Sequence, residues 1–243
     1  MTRSSIRPTA AASIFVLIAL GLLAVRVASA DGPAPATDAV ASSAAVELKR
    51  GVRKPRIVTK RIPFGAERKR QMANYSKRHY GKREWRLKKP RVIVQHYSVT
   101  PDIPSLYNVF ASNRPDPEFG ELPNVCAHFG VGRTGRIFQF VGLGARCRHT
   151  VGLNYTSIGI EHVGYSDSQV LSNARQMRGS LKLSRWLRCV YDIPVKDVIG
   201  HNESLRSRYH RERVDELKTA THGDFRRKSM NRYRRQLRQA GRC

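Results

Sequence analysis

From Pro90 onward, short apolar runs rich in β-branched residues recur along the chain and predict buried strands. Four runs show the pattern most clearly: "PRVIVQHYSV", "NVCAHFGV", "RIFQFVG" and "SIGIEHVG". Runs of this length and composition are typical of strands in a sheet that is largely buried. The second and third runs are joined by "GRTG", whose two glycines predict a hairpin turn.

Amphipathic segments alternate with these strands. The stretch from Asp167 to Tyr191 predicts one long helix, because its apolar residues share a face and Pro194 forbids its continuation. "SLYNVFASN" predicts a short helix, "VKDVIGH" a further strand and "DFRRKSMNRYRRQLRQAG" a basic terminal helix. This alternation predicts an α/β fold, with a single domain over residues 90–243.

The first 89 residues divide into three segments. Residues 1–30 have a basic start, an apolar stretch and an Ala-Ser-Ala end, which is typical of a cleaved signal peptide. An uncleaved membrane anchor is the alternative, although the apolar run is short for a span. Residues 31–48, rich in Ala, Pro and Ser, predict a flexible linker. Residues 49–89 predict a basic N-terminal extension, with a short strand and a helix, docked on the main domain.

The charge of the chain is extreme, at a formal +27, and loss of the three leader arginines would leave +24. Such a field attracts polyanions. For an exported protein we expect anionic cell-wall polymers as partners of the basic extension, the alternative being that the charge only aids solubility. We predict no specific nucleic-acid partner, because no nucleic-acid-binding motif is recognisable. No segment after the leader is apolar and long enough to predict a membrane span.

Four cysteines follow the leader, and export would place them in an oxidising compartment. An even count predicts up to two disulfides, for which three pairings are open. Pairing Cys126 with Cys147 and Cys189 with Cys243 is preferred, because each bond would join adjacent elements. The absence of a CxxC pair argues against a zinc ribbon.

Side chains suited to metal chemistry stand at predicted strand ends. His96 and His201 each follow a strand, and "THGDF" adds Asp224 just before the last helix. These three would complete the ligand set of a catalytic zinc site, although a histidine at a strand end, taken singly, is more often a hydrogen-bonded structural residue than a ligand. Glu161 lies inside an apolar run, where a carboxylate is costly unless compensated. Beside a zinc-bound water, it could take the water's proton.

Five blocks in order resemble a known family. They are "VIVQHYSVT", "NVCAHFGVGRTGRIFQFV", "CRHTVGLNYTSIGIEHVG", "VIGHNES" and "THGDF", covering about Pro90 to Arg238. The chain resembles the zinc-dependent N-acetylmuramoyl-L-alanine amidases, whose superfamily includes the peptidoglycan recognition proteins. The resemblance implies a central mixed β-sheet flanked by helices, Zn²⁺ as cofactor and peptidoglycan as substrate. The implied reaction is hydrolysis of the amide between N-acetylmuramic acid and L-alanine.

The resemblance also implies roles for individual residues. His96 and His201 correspond to the first two zinc ligands, and "HGD" implies Asp224 as the third, with His222 as a catalytic partner. The exchange of these last two roles, with His222 as ligand, stays open. The "IGIE" step implies Glu161 as general base.

The function implied is that of a secreted or wall-associated zinc amidase. His149 and Asn154 would contact the substrate, with a structural role as the alternative for His149 and loop support as a further role for Asn154. A non-catalytic peptidoglycan-binding module is the competing function, and such modules in this superfamily often lack a zinc ligand. The presence of all three ligand types and of Glu161 favours an enzyme.

Overall fold

A six-stranded mixed β-sheet organises residues 51–243, the part of the chain that this computed structural model describes. The strands are β1 (Ile57–Thr59), β2 (Val92–Tyr97), β3 (Phe129–Val131), β4 (Ile137–Gln139), β5 (Ser157–His162) and β6 (Val198–Gly200). Their order across the sheet is β1-β4-β3-β5-β2-β6. The expected signal peptide, residues 1–30, and linker, residues 31–48, lie outside the described residues.

Strand directions confirm the expected mixed sheet. The neighbouring strands β3, β5, β2 and β6 are parallel, β4 runs antiparallel to β3, and β1 runs parallel to β4. The predicted hairpin is confirmed between β3 and β4, where the Gly135 amide donates to the Gly132 carbonyl at 2.8 Å. Gly135 has a φ of 82°, which a residue without Cβ adopts at little cost.

Five α-helices of residues 51–243 flank the sheet, and one sequence prediction about them is wrong. They are α1 (Ala66–Tyr80), α2 (Ile103–Ala111), α3 (Asp167–Ser172), α4 (Ala174–Tyr191) and α5 (Arg227–Gln239). The expected single helix over residues 167–191 is broken at Asn173 into α3 and α4. The Asn173 side chain accepts a hydrogen bond from the Gln176 amide, and its backbone is extended, with a ψ of 97°. Asparagine is a strong N-cap, so it begins a new helix here.

No helix within residues 51–243 combines the length and the apolar character that crossing a membrane requires.

Side chains alternate between the two faces of the sheet, which separates structural from chemical positions. On one face, Ile93, Ile158 and Ile160 pack in the largest buried cluster, together with Leu183 and Leu187 of α4. The helices α4 and α5 cover this face. The opposite face carries a smaller cluster that includes Val92 and Val94 of β2.

His162 belongs to the helix-covered face, as its alternation with Glu161 predicts. Its Nε2 lies 2.7 Å from the Ser180 hydroxyl on α4, and that hydroxyl lies 2.7 Å from the Tyr233 hydroxyl on α5. This buried chain of polar groups joins β5 to both helices. His162 is therefore a structural histidine, and its neighbour Glu161 is directed to the other face.

The described part of the basic segment 49–89 contributes to the same sheet and core. Strand β1 pairs with β4 at the sheet edge. On α1, Met72 and Tyr75 are buried, and the buried guanidinium of Arg68 donates hydrogen bonds to the carbonyls of Phe110 and Ser112 at 2.8 and 3.0 Å. The fold of this segment therefore depends on contacts with residues beyond Pro90.

One buried histidine is held in its neutral form by two backbone partners. The Gly159 amide donates to Nδ1 of His128 at 3.1 Å, so Nε2 must carry the proton that it donates to the Ala145 carbonyl at 3.0 Å. Burial lowers the pKa of His128 to about 4. Protonation would add an unpaired buried charge and break the bond from Gly159.

Both preferred disulfides are present. Cys126 pairs with Cys147, and Cys189 pairs with Cys243, with Cα atoms 5.4 and 5.2 Å apart. The second bond closes a 54-residue separation and ties α4 to the C-terminus beyond α5. Because cross-links over longer segments remove more freedom from the unfolded chain, this bond is expected to stabilise the domain more than the first.

Replacing Cys189 and Cys243 together by serine should lower the free energy of unfolding by about 4 kcal/mol, against about 3 kcal/mol for the matched pair Cys126 and Cys147. Urea unfolding of both double variants under oxidising conditions measures the difference. Equal losses would show that chain entropy does not set the contribution of these bonds.

Stability should also fall in acid because of His128. The unfolded histidine has a pKa near 6.5 and the folded one about 4. The unfolding free energy is therefore unaffected above pH 6.5 and falls by roughly 3 kcal/mol between pH 6.5 and 4, since only the unfolded chain takes up the proton. Denaturant titrations at several pH values, compared with His128→Gln, measure this. An unchanged pH slope in the variant would assign the loss to other groups.

Candidate active site

Three parallel strands end side by side and present the expected chemical groups at one edge. In the register of β2 with β5, His96 lies directly opposite Glu161, so both side chains are on the same face. In the register of β2 with β6, Gln95 lies opposite Gly200, which places His201 one residue further, level with His96. The carboxyl ends of parallel strands meet at one edge, and this edge is where open α/β sheets bind ligands.

Asp224 reaches the same edge from the segment before α5. The approach is close, because a Cβ at Gly200 would collide with the backbone carbonyl oxygen of Phe225. The Asp167 carboxylate, in the first turn of α3, accepts hydrogen bonds from the amides of Phe225 and Arg226 at 2.7 and 2.9 Å. Gly200 and Asp167 therefore set the position from which the Asp224 side chain extends.

His96, His201 and Asp224 form the buried cluster that can hold a metal. One donor atom from each lies within 4.8 Å of the others. His96 Nδ1 is 3.0 Å from Oδ2 of Asp224, and His201 Nδ1 is 3.2 Å from Oδ1. Ligand atoms of a tetrahedral zinc site lie about 3.3 Å apart for bonds near 2.0 Å. The Oδ1 atom has no properly oriented hydrogen-bond donor, so a ligand position is available on it.

The charges of this cluster favour a cation. Burial opposes ionisation of Asp224, but the neighbouring imidazoles of His201 and His96 hold the pKa of its carboxyl well below the usual range. Burial lowers the pKa of His201 to about 4, so that imidazole is neutral near pH 7. Burial also acts to lower the pKa of His96, but Glu161 and Asp224 outweigh it and leave that pKa raised. A bound cation would replace the proton that His96 otherwise attracts.

Glu161 lies next to this cluster and keeps one oxygen uncommitted. Its Oε2 is buried and has no hydrogen-bond partner among the described residues. Burial raises the pKa of Glu161 to about 7; His96 lowers it, Asp224 raises it and His222 lowers it. A carboxyl with a pKa near neutrality can both accept and return a proton, which is the property of a general acid–base group.

His222 lies outside the metal cluster, at the rim. Its ring stacks on His201 with centroids 4.6 Å apart, and its Nε2 lies 3.0 Å from both oxygens of Glu118. Both side chains are half exposed. The geometry brings Asp224, and not His222, together with His96 and His201, although the sequence left both assignments open.

The loop that carries Glu118 is itself held by a buried ion pair. Oδ1 of Asp116 accepts the Phe119 amide at 2.8 Å, and Oδ2 lies 2.8 Å from the Arg148 guanidinium. Arg148 also lies 3.0 Å from Glu121. Glu118 therefore projects from a fixed turn, and it can hold the His222 ring in place.

The two expected substrate contacts support the site from behind. His149 lines the cleft. Its Nδ1 lies 3.2 Å from Nε2 of His96, so His149 directly contacts one of the expected zinc ligands. Asn154 is buried; its amide oxygen accepts the amides of His149 and Thr150 at 2.9 and 2.8 Å, and its nitrogen donates to the Tyr75 hydroxyl. Asn154 thus supports the loop, and it also lines the cleft.

A cleft of about 460 Å³ opens over the cluster. Its wall includes aromatic and apolar side chains from α1, α2 and the loops, together with the polar groups described above. These side chains are Tyr75, Tyr97, Val99, Phe110, Phe119 and Val125. Val99 is exposed and has a φ of 51°, an uncommon backbone conformation for a β-branched residue. A pocket of this kind, apolar with a few convergent polar groups, is typical of a site for a small organic ligand or a substrate.

Three residues that support the site could not be identified from the sequence alone. Asp167 carries the typical signal of an acid in a first helical turn, but nothing local connects it with residues 225 and 226. Thr221, whose hydroxyl donates to the His201 carbonyl at 2.9 Å, has no recognisable signal. Glu118 meets His222 across a separation of 104 residues, and no spacing rule could pair them.

The comparison with protein families decides the identity of the fold. A family model described as N-acetylmuramoyl-L-alanine amidase matches residues 86–217, more than half of the chain. The chain belongs to the N-acetylmuramoyl-L-alanine amidase family. The match includes His96, Glu161 and His201 and ends before Asp224, so the third ligand position rests on the geometry described above.

Solved structures similar to this amidase-family chain include two bacterial endolysins and an animal recognition protein. The endolysin amidase LysCS of Clostridium intestinale is 18% identical over 77% of this chain and 99% of its own, with a TM-score of 0.49. A mutant Bacillus subtilis endolysin is 17% identical over 75% and 98%, with a TM-score of 0.46. Drosophila PGRP-LB is 16% identical over 61% and 83%, with a TM-score of 0.43. No curated protein sequence matches the chain.

The cluster predicts a stoichiometric zinc site. Elemental analysis of the purified chain should find about one zinc per molecule, and Asp224→Ala should lose it, because only two ligands would be left. The matched variant His222→Ala should retain the metal. Retention in the Asp224 variant with loss in the His222 variant would reverse the assignment.

Proposed function

We propose that this amidase-family protein is a zinc-dependent hydrolase of the amide between N-acetylmuramic acid and L-alanine in peptidoglycan. The observation that supports this most is the buried convergence of His96, His201 and Asp224, with the uncommitted Glu161 carboxyl beside them in a cleft. A binding module needs the cleft, but it does not need a buried acid with a pKa near 7 next to three metal-type ligands.

His96, His201 and Asp224 would hold the zinc ion. When bound there, zinc would polarise the amide carbonyl and lower the pKa of a coordinated water toward 7. The protein supplies two imidazole nitrogens and one carboxylate, which match zinc's preference for nitrogen and oxygen donors. Nε2 of His96 lies against His149 and Thr150 while Nδ1 faces the cluster, so the ring orientation is held from both sides.

Glu161 would carry the proton in both halves of the reaction. It takes a proton from the attacking water as the new C–O bond forms at the amide carbon. It then gives that proton to the nitrogen as the C–N bond breaks, so that L-alanine leaves with a free amino group. The raised pKa of Glu161 suits both directions, and the proton balance needs no other reactant.

His222 would stabilise the negative charge that develops on the carbonyl oxygen. It lines the cleft on the side of His201, and an imidazole N–H directed at that oxygen acts as an oxyanion donor. Glu118 would be a positioning residue, since its carboxylate accepts from Nε2 of His222 and fixes the ring. We expect the carbonyl oxygen of the substrate either to replace the Glu118 carboxylate at Nε2 of His222 or to lie at the other ring nitrogen of His222.

We infer an extracytoplasmic location, in which the protein is secreted or associated with the cell wall. Two disulfides within the described residues suit an oxidising compartment. The leader pattern in residues 1–30 points the same way. Binding of anionic wall polymers by the basic segment 49–89 stays a prediction.

Glu161→Gln should retain zinc and peptidoglycan binding but lower the rate of amide cleavage by about 10²–10⁴-fold, because the amide side chain cannot accept the proton. Release of free L-alanine amino groups from purified peptidoglycan measures the rate. Glu216→Gln, an exposed acid that does not line the cleft, is the matched control and should act like the parent.

The same assay distinguishes the enzyme from a recognition module. A parent protein that binds zinc and peptidoglycan and releases no amino groups would be a non-catalytic binder. Equal turnover by the parent and Glu161→Gln would show that Glu161 does not carry the proton, although the protein would still be an amidase. Neither outcome is compatible with the mechanism above.

A further inference from the structure

The two helices that cover the sheet on the face opposite Glu161 carry a strongly one-sided charge. Together, α4 and α5 contain eleven lysines and arginines and neither Asp nor Glu. The exposed members are Arg175, Arg178, Lys182, Arg227, Lys228, Arg232, Arg235 and Arg238. We call these eight side chains the α4–α5 cationic face. Within residues 51–243, none of the eight forms a salt bridge with an acid.

These cations repel one another along each helix. Arg178 and Lys182 are four residues apart on α4, as are Lys228 and Arg232 on α5, and Arg235 follows Arg232 at three residues. Like charges at these spacings are neighbours on the helix surface and destabilise it. Packing of the buried face of each helix offsets this repulsion between the exposed cations, and a bound anion would neutralise it.

The two helices are held together, so their charges act as one surface. Tyr233 of α5 bonds to both Ser180 and Ser184 of α4, at 2.7 and 2.8 Å. Further on, the Arg185 guanidinium of α4 donates to the Arg242 carbonyl at 3.0 Å, beside the Cys189–Cys243 disulfide. The cationic face is thus rigid over about 27 Å, the length of an 18-residue helix.

We propose that the α4–α5 cationic face is a binding surface for an extended, base-free phosphate polymer. Nine of the eleven cations in the two helices are arginines, whose planar guanidinium binds phosphate oxygens in pairs. The face offers no aromatic platform for nucleic-acid bases, since Trp186 and Tyr233 are buried and Tyr191 is partly buried. It also offers no exposed large apolar side chain for insertion into a bilayer.

This surface is distinct from the basic segment 49–89 and from the cleft. The segment carries its cations on both sides of β1, along α1 and in the residues that follow α1, and it also contains Glu67 and Glu84. The α5 part of the face begins at Arg227, three residues after Asp224, and both helices pack on the face of the sheet opposite Glu161. A polymer could therefore occupy it while the cleft holds a different chain.

The test compares two sets of four neutralised cations in the full-length chain. The face variant is Arg178→Gln, Lys182→Gln, Arg232→Gln and Arg235→Gln. The control changes four exposed cations on α1 and the turn after it: Arg70→Gln, Lys77→Gln, Lys82→Gln and Arg83→Gln. Both variants lose the same net charge. The probe is inorganic polyphosphate of fixed length, titrated at several salt concentrations.

We expect the face variant to bind polyphosphate at least about tenfold more weakly near 0.1 M salt, with a salt slope smaller by roughly 3. The control should stay within about threefold of the parent. Equal losses in the two variants would mean that net charge alone attracts the polymer, and a larger loss in the control would move binding to the basic segment. Both results overturn the proposal.

A second measurement guards against misfolding of the variant. Polyphosphate should raise the thermal midpoint of the parent and of a charge-conserving variant with Lys at Arg178, Arg232 and Arg235, but not that of the face variant. The face variant without polymer should unfold no earlier than the parent, since repulsion is relieved. Because lysine binds phosphate as a point charge and not in pairs, the shift in the lysine variant should be smaller than in the parent but still present. Complete loss of the shift in the lysine variant would show that the charge of the face does not carry the binding and would reject the proposal.

Two other probes test the choice of partner. Single-stranded DNA of matched charge and vesicles containing phosphatidylglycerol are titrated against the parent and the face variant. If DNA and vesicles both bind the parent more weakly than polyphosphate does, the result supports a base-free polymer as the partner. DNA or vesicles that bind more tightly and lose the same fold in the face variant would assign the surface to nucleic acid or to membrane instead.

Discussion

The structure depends on one buried carboxylate, Asp224, lying between the imidazoles of His96 and His201. A buried charge without partners would cost several kcal/mol, so these three side chains must stay together or the site is destabilised. The parallel register of β2 with β5 and β6 keeps the two histidines level, and Glu161 shares their edge. The geometry of the site therefore depends directly on the pairing of the central strands.

Elements far from the cleft maintain this arrangement. Asp167 at the start of α3 holds the backbone on which Asp224 stands, and Gly200 leaves room for it. The break at Asn173 matters here, because it makes α3 a separate short helix whose first turn reaches the loop before α5. On the other face, α4 and α5 supply the apolar core and leave their outer surfaces to arginine and lysine. Catalysis and polymer binding would thus use opposite sides of one sheet.

Much of this could be predicted from the sequence, and the errors have physical causes. The strands, the hairpin, helix α1 and the disulfide pairs follow from periodicity, turn residues and adjacency. The single helix over residues 167–191 failed, because the capping preference of Asn173 outweighed a continuous amphipathic pattern. The expected role of Asn154 in holding its loop agrees with the hydrogen bonds that its amide oxygen accepts, whereas its contact with a substrate stays a prediction. Glu118 could not be found, because its meeting with His222 depends on how a distant loop packs.

By itself, the sequence determined which segments form the strands and most of the helices, and which donor types each strand end offers. It also restricted the third ligand to two neighbouring candidates, Asp224 and His222. The tertiary structure favours Asp224, because it places Asp224 against His96 and His201 and turns His222 toward Glu118. The reason is that local spacing encodes periodicity and capping, whereas convergence depends on strand order and register. Those are set by contacts between residues far apart in the chain.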